Sequence, residues 1–88
     1  MNVKMYTKTG CPFCNMAKLW FETNNIIYDE VKFDNDQERT DFYAEMNQSG
    51  KVKQAIRTVP QIFIDDEHIG GFDDLRANAS YILDKKQA

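Results

Sequence analysis

An α/β fold, a small mixed sheet with helices packed on it, is predicted by three features of this 88-residue chain. Hydrophobic spacing alternates between a two-residue and a helical period, giving the element order β-α-β-α-β-β-α. The short run "QIFI" (61–64) is continuous enough in apolar character to mark a buried strand, and "DDE" turns it into a partner. The last helical stretch has acids at its start and lysines at its end, the order a helix dipole favours. Repeats, low-complexity stretches and linkers are absent from the sequence, so residues 1–88 read as a single domain.

Each element has its own local reason. "VKMYT" (3–7) alternates with β-forming residues and reads as a strand. Pro12 suits a first helical turn, and Cys14, Ala17 and Phe21 then fall on one helical face until "ETNN" (22–25) ends the helix. "IIYDEVKF" (26–33) reads as a second strand. The Asp/Asn-rich opening of 34–48 favours a helix N-terminus, and Phe42, Tyr43 and Met46 give that helix an apolar face. "SGKVKQAIRT" (49–58) reads as a loop with room for a short helical piece. "HIG" (68–70) completes a hairpin with 61–64, with His68 expected as an ordinary exposed residue of an edge strand. "FDDLRANASYILDKK" (72–86) reads as one helix, with Leu75, Ala79, Ile82 and Leu83 at helical spacing.

Composition excludes several classes. The 42% hydrophobic and 12% aromatic content suits a folded globule, yet no apolar run approaches the roughly 18 residues of a membrane span. A net charge of −3 and a pI near 5.0 argue against a nucleic-acid partner, which selects for basic stripes. The basic cluster of Lys51, Lys53 and Arg57 reads first as a solvated surface and second as a patch beside a binding site. The N-terminal "MNVKMYTK" has no apolar secretory region, so a reducing, cytoplasmic setting is expected. In that setting a lone cysteine pair is seldom a structural disulfide.

The two cysteines, Cys11 and Cys14, stand two residues apart with a proline between them. A zinc site normally takes four ligands, and two cysteines with one distant histidine do not supply them, so no metal is expected. A disulfide across two residues closes too small a loop to stabilise much. Redox chemistry fits better. Cys11 precedes the first helical turn, where unpaired N–H groups and the positive end of the dipole favour a thiolate. Cys14, one turn further in, is placed to attack a mixed disulfide on Cys11.

A second informative stretch is "RTVPQIFIDDEHIGGFDDL" (57–75). Pro60 precedes the buried strand, and two readings stay open. It is a trans proline opening a strand, or a cis bond that turns the backbone of Val59 outward to a peptide-like ligand. Gly70 and Gly71 permit close backbone approach, and the N–H groups of Phe72, Asp73 and Asp74 are available to a carboxylate. Asp73 and Asp74 either cap this helix, Asp73 being the expected cap, or one of them also meets a ligand ammonium.

"YTKTGCPFC", "TVPQIFID" and "HIGGFDDL", in this order and spacing, resemble the glutaredoxin family over essentially the whole chain. The resemblance implies a thioredoxin-like fold with a mixed four-stranded sheet, and a glutathione-dependent thiol–disulfide oxidoreductase. It implies Cys11 as nucleophile and Cys14 as resolving thiol. It implies that Lys8 pairs with a glutathione carboxylate, and that Thr58 and Val59, before Pro60, present backbone to the cysteinyl unit. Gly71, Phe72, Asp73 and, less directly, Asp74 would hold the γ-glutamyl end. Implied partners are glutathione as co-substrate and disulfide-containing or glutathionylated proteins, ribonucleotide reductase among the family's targets, acted on by a monomer without membrane or nucleic acid. Two departures stand out: Phe13 occupies the usual tyrosine position, and residues 47–57 look long, leaving Arg39 and Lys51 as competing candidates for a basic contact. The rival reading is an iron–sulfur carrier bridging two subunits through Cys11 and glutathione. Members with that role usually have a single cysteine, and here Cys14 competes by forming a disulfide.

Overall fold

Val3, Met5 and Thr7 of β1 (Val3–Thr7) alternate with outward-facing residues, and this strand is the axis on which the computed structural model of residues 1–87 is built. Ala88, the last residue of the expected domain, lies outside the described residues. Strand β1 pairs in parallel with β2 (Asp29–Lys32) and antiparallel with β3 (Gln61–Ile64), which pairs antiparallel with β4 (Glu67–Gly70). The sheet order is β2-β1-β3-β4. Parallel pairing of β1 with β2 requires a crossover, and α1 (Pro12–Thr23) supplies it.

The two sheet faces carry different packing. Val3, Met5, Ile62 and Ile64 join Ala17 and Phe21 of α1 in the main core, together with Leu75 and Ile82. On the opposite face Tyr6 and Phe33 meet Phe42 of α2 (Asp36–Ser49), and Phe63 packs edge-on against Tyr6; the Tyr6 and Phe42 ring centroids are 4.3 Å apart and those of Phe33 and Phe42 5.0 Å. Within α2 only Phe42 is buried, so Tyr43 and Met46 border the apolar face without completing it. Helices flank both faces, as the pattern of periods predicts.

Three boundaries differ from the sequence expectation. Strand β2 is shorter than 26–33 because the exit of α1 consumes its start. Asn25 is left-handed (φ 57°), its N–H bonds the Glu22 carbonyl, and the Ile26 N–H bonds the Phe21 carbonyl at 2.9 Å. That is a Schellman closure with asparagine in the usual glycine place, and Ile26 plugs the core instead of joining the sheet. The final helix is two, α3 (Phe72–Ala77) and α4 (Ala79–Gln87), broken at Asn78. The Asn78 side-chain amide donates to the Asp74 carbonyl at 2.8 Å, the local competition that makes asparagine a helix breaker. The turn after β3 is only Asp65 and Asp66, both left-handed (φ 50° and 67°), as a two-residue hairpin loop demands, so Glu67 already belongs to β4. Asp65 is also a clasp: its carboxylate accepts the Asn2 N–H and pairs with Lys85 at 2.9 Å, and these partners hold its carboxyl below the usual range.

No helix among the described residues is long and apolar enough to cross a membrane. Residues 50–60 form neither helix nor strand.

Candidate active site

Cys11 is the N-cap of α1, with extended backbone (φ −101°), and Pro12 takes the first helical position. Proline is tolerated there because its missing N–H would have had no intrahelical partner. The turn therefore opens toward Cys11 with its remaining N–H groups, and the Cys14 N–H lies 3.2 Å from the Cys11 sulfur. Cys11 and Cys14 are joined as a disulfide, their Cα atoms 5.2 Å apart. Cys14 is wholly buried, whereas Cys11 retains a narrow exposed edge. One cysteine is thus reachable from outside and the other only through it.

The first turn of α1 contains no carboxylate, whereas α2 has Asp36 and Glu38 and α3 has Asp73 and Asp74 in theirs. The positive end of α1 is left to the sulfur. A hydrogen bond to a charged acceptor contributes roughly 1.5–3 kcal/mol, and an exposed ion pair about 0–1 kcal/mol. The first-turn N–H groups should therefore outweigh the exposed Lys8 in favouring a thiolate. Lys8→Ala is expected to slow alkylation of Cys11 near pH 6 by less than about fivefold. A loss of two orders of magnitude in a stopped-flow iodoacetamide assay would reverse that ranking.

A cleft of about 440 Å³ adjoins the sulfur, lined by Phe13, residues 54–61, His68 and residues 70–74. The Val59–Pro60 bond is cis, and the Val59 carbonyl oxygen lies 3.7 Å from the Cys11 sulfur, so the cleft and the cysteine share an edge. Of the residues singled out from sequence, Thr58, Val59, Pro60, Gly71, Phe72, Asp73 and Asp74 line this one cleft. Lys8 is exposed between β1 and α1 and does not line it. Neither Arg39 nor Lys51 does. Arg39 donates to the Phe33 carbonyl at 2.9 Å and pairs with Asp36, while Lys51 borders the groove between α2 and the far sheet face. The basic residue that lines the cleft is Arg57.

At the start of α3 the cap is Asp74, not the expected Asp73. Its carboxylate accepts the N–H of the N-cap Gly71 at 3.1 Å, while Asp73 points to solvent. The reach-back bond belongs to the third helical position, which Asp74 holds. The exposed Phe13 ring sits 6.4 Å from that of Phe72, forming an aromatic rim between the starts of α1 and α3.

His68 departs furthest from expectation. It is buried at 4% exposure, not an exposed edge residue, because its ring packs on Phe63 and both ring nitrogens find partners. Nε2 faces the Gln61 side-chain oxygen at 2.8 Å and Nδ1 accepts the Lys53 N–H at 3.0 Å. Burial first, and Lys53 second, hold its pKa below the ordinary imidazole value, against an opposing pull from Asp74. The sequence signal for this pair was a glutamine opening an otherwise apolar strand, since a buried amide needs a polar partner.

A family model described as Glutaredoxin matches residues 3–69. Among curated relatives, Glutaredoxin 3 of Escherichia coli (strain K12) is 40% identical over 76 residues, spanning 86% of this chain and 83% of that protein. Glutaredoxin 1 of Rickettsia typhi is 42% identical over 72 residues, 81% of this chain and 64% of that one. The crystal structure of glutaredoxin 1 from Francisella tularensis, complexed with cacodylate, superposes with a TM-score of 0.93 at 63% identity, covering 94% of this chain and 96% of that one. The crystal structure of the buckwheat glutaredoxin–glutathione complex has a TM-score of 0.75 at 26% identity, covering 90% of this chain and 68% of that one.

Proposed function

The chain belongs to the glutaredoxin family of thiol–disulfide oxidoreductases, and from this premise we propose that it works through glutathione bound in the cleft beside Cys11. The observation that carries this reading is the contact between the Cys11 sulfur and the Val59 carbonyl, which brings the reactive atom to one end of a peptide-sized groove. Thr58 and Val59 offer backbone to the cysteinyl unit, and Gly71, Phe72 and Asp73 receive the γ-glutamyl end. Asp74 contributes by capping α3. Arg57 takes the carboxylate contact that the sequence had left between Arg39 and Lys51, with Lys8 as an outer, exposed cation.

The chemistry is exchange, with electrons conserved at each step. The Cys11 thiolate attacks the glutathionyl sulfur of a mixed disulfide; the new S–S bond forms as the old one breaks, and the released thiolate takes a proton from water. A glutathione thiolate then attacks the glutathionyl sulfur on Cys11, giving oxidised glutathione and the free thiolate. With a protein disulfide, Cys11 instead becomes bonded to the protein. The Cys14 thiolate attacks the Cys11 sulfur, releases the protein dithiol and leaves the Cys11–Cys14 disulfide, which two glutathiones reduce. We place the protein in a reducing cytoplasm as a single-domain monomer acting on glutathionylated and disulfide-bonded proteins.

The deciding experiment is turnover of a glutathionylated peptide and of a protein disulfide, each with glutathione and glutathione reductase as the electron supply. Both should proceed. Reduction driven by dithiothreitol but not by glutathione would sink the glutathione assignment while leaving the oxidoreductase intact.

A further inference from the structure

Residues 53–58 form a wall, lining the cleft from Gln54 on, that has no helix or strand to hold its shape. Side chains from the sheet do so instead. The Gln61 amide nitrogen donates to the Thr58 carbonyl at 3.1 Å, which fixes the orientation of that amide and turns its oxygen toward His68. His68 Nδ1 accepts the Lys53 N–H, so it has no proton there, and Nε2 must therefore carry one to donate to Gln61. One chain of hydrogen bonds thus ties Lys53 and Thr58, near the two ends of the wall, to two side chains that are 4% and 5% exposed. Asn47 of α2 grips the middle, exchanging two hydrogen bonds with the Ile56 backbone at 2.7 and 2.9 Å.

We propose that His68 and Gln61 are positioning residues for glutathione, holding the 53–58 wall in its binding shape only while His68 is the neutral Nε2–H tautomer. The inference rests on the glutathione reading above and adds a residue pair and a pH dependence to it. A proton on Nδ1 would face the Lys53 N–H donor to donor, and that anchor would be lost.

The surroundings set the direction of the effect. Lys53 on the wall opposes a charged His68, and Asp74 on α3 favours one. Arg57 and Asp73 share the cleft but do not bond to the ring. Strand β3 presents the uncharged Phe63 and Gln61, and Glu67, the neighbour on β4, is exposed. Burial outweighs Asp74, so the folded protein binds its proton at lower pH than the unfolded chain does. The neutral, anchored form is complete above the ordinary imidazole pKa and is lost as pH falls through the lowered one.

The test is the dissociation constant of S-methylglutathione, which cannot react with Cys11, measured by NMR titration near pH 7 and near pH 5. Wild-type affinity should weaken about fivefold or more once the His68 ring nitrogens have taken up the proton, the titration being carried below pH 5 until they do, and the Lys53 amide should shift with them. His68→Leu should bind about tenfold more weakly at pH 7, the loss of roughly one hydrogen bond, and show no further fall at pH 5. His68→Gln, able to accept and donate, should restore most of the affinity and be insensitive to pH. Equal affinity of wild type and His68→Leu at pH 7 would overturn the inference. So would a wild-type affinity unchanged once the ring has visibly titrated. Should His68→Leu fail to fold, the wild-type pH comparison decides alone. A wild-type protein that binds no S-methylglutathione at pH 7 would remove the glutathione reading and this inference with it, an outcome distinct from the two before.

Discussion

Cys11→Ser is expected to bring both thiol-transfer reactions down to the uncatalysed rate, whereas Cys14→Ser should keep deglutathionylation and lose most protein-disulfide reduction. The asymmetry follows from access. Cys11 has an exposed edge at the cleft, and Cys14 is wholly buried behind it, so only Cys11 meets an incoming disulfide. A hydroxyl at position 11 cannot replace the thiolate, and the Cys14 sulfur has no path to the substrate. Cys14 matters afterwards. Its Cα lies 5.2 Å from that of Cys11, near enough for the two sulfurs to bond, and well-oriented intramolecular attack reaches effective molarities of about 10⁵–10⁸ M. Solution glutathione cannot match that against a bulky protein mixed disulfide, but it can discharge a glutathionyl group directly. Parallel assays with a glutathionylated peptide and a disulfide-bonded protein would separate the routes. Equal losses in both for Cys14→Ser would overturn this division of labour.

Gly70→Ala should lower stability by about 3 kcal/mol, the largest effect expected from replacing any of the four glycines by alanine. Gly70 has φ +122°, a conformation that side-chain-bearing residues rarely adopt, at a cost of roughly 1–3 kcal/mol. A methyl group there would also overlap the Asp74 carboxylate. Asp74 would have to swing away, abandoning the Gly71 N–H and removing a cap worth about 0.5–2 kcal/mol. At roughly 4–8 °C per kcal/mol for a domain of this size, the melting temperature should fall by about 10–25 °C. Gly71→Ala is the control. Its φ is −89° and an added methyl would meet the Pro60 carbonyl at an ordinary 3.6 Å, so its cost should stay within about 1 kcal/mol. Thermal melts of the two variants that coincide would show that the crowding at Gly70 is relieved at no cost.

What the sequence determined by itself was whatever rests on neighbours a few residues apart. Pro12 behind Cys11, with Cys14 one turn on, places one sulfur at a helix start and the other inside the helix, because capping and helical spacing are local geometry. The continuous "QIFI" run between Pro60 and the paired aspartates defines the central hairpin for the same reason. The glycine pair before "FDD" marks a helix start. The break at Asn78 escaped because Leu75 and Ile82, seven residues apart, keep facing the core on either side of it, so the apolar period runs straight through.

Tertiary structure decided whatever depends on partners far along the chain. His68 looked like a hairpin residue bound for solvent, yet its burial is set by Phe63 and Gln61 across the hairpin and by an amide fifteen positions back, on Lys53. Arg57, rather than Arg39 or Lys51, reached the cleft because the 53–58 segment is pinned at its ends by His68 and Gln61 and in its middle by Asn47. These anchors are single hydrogen bonds between side chain and backbone, with no period and no composition of their own. A pattern read along the chain detects repeating burial; it is blind to a polar contact made once, and the shape of this cleft rests on such contacts.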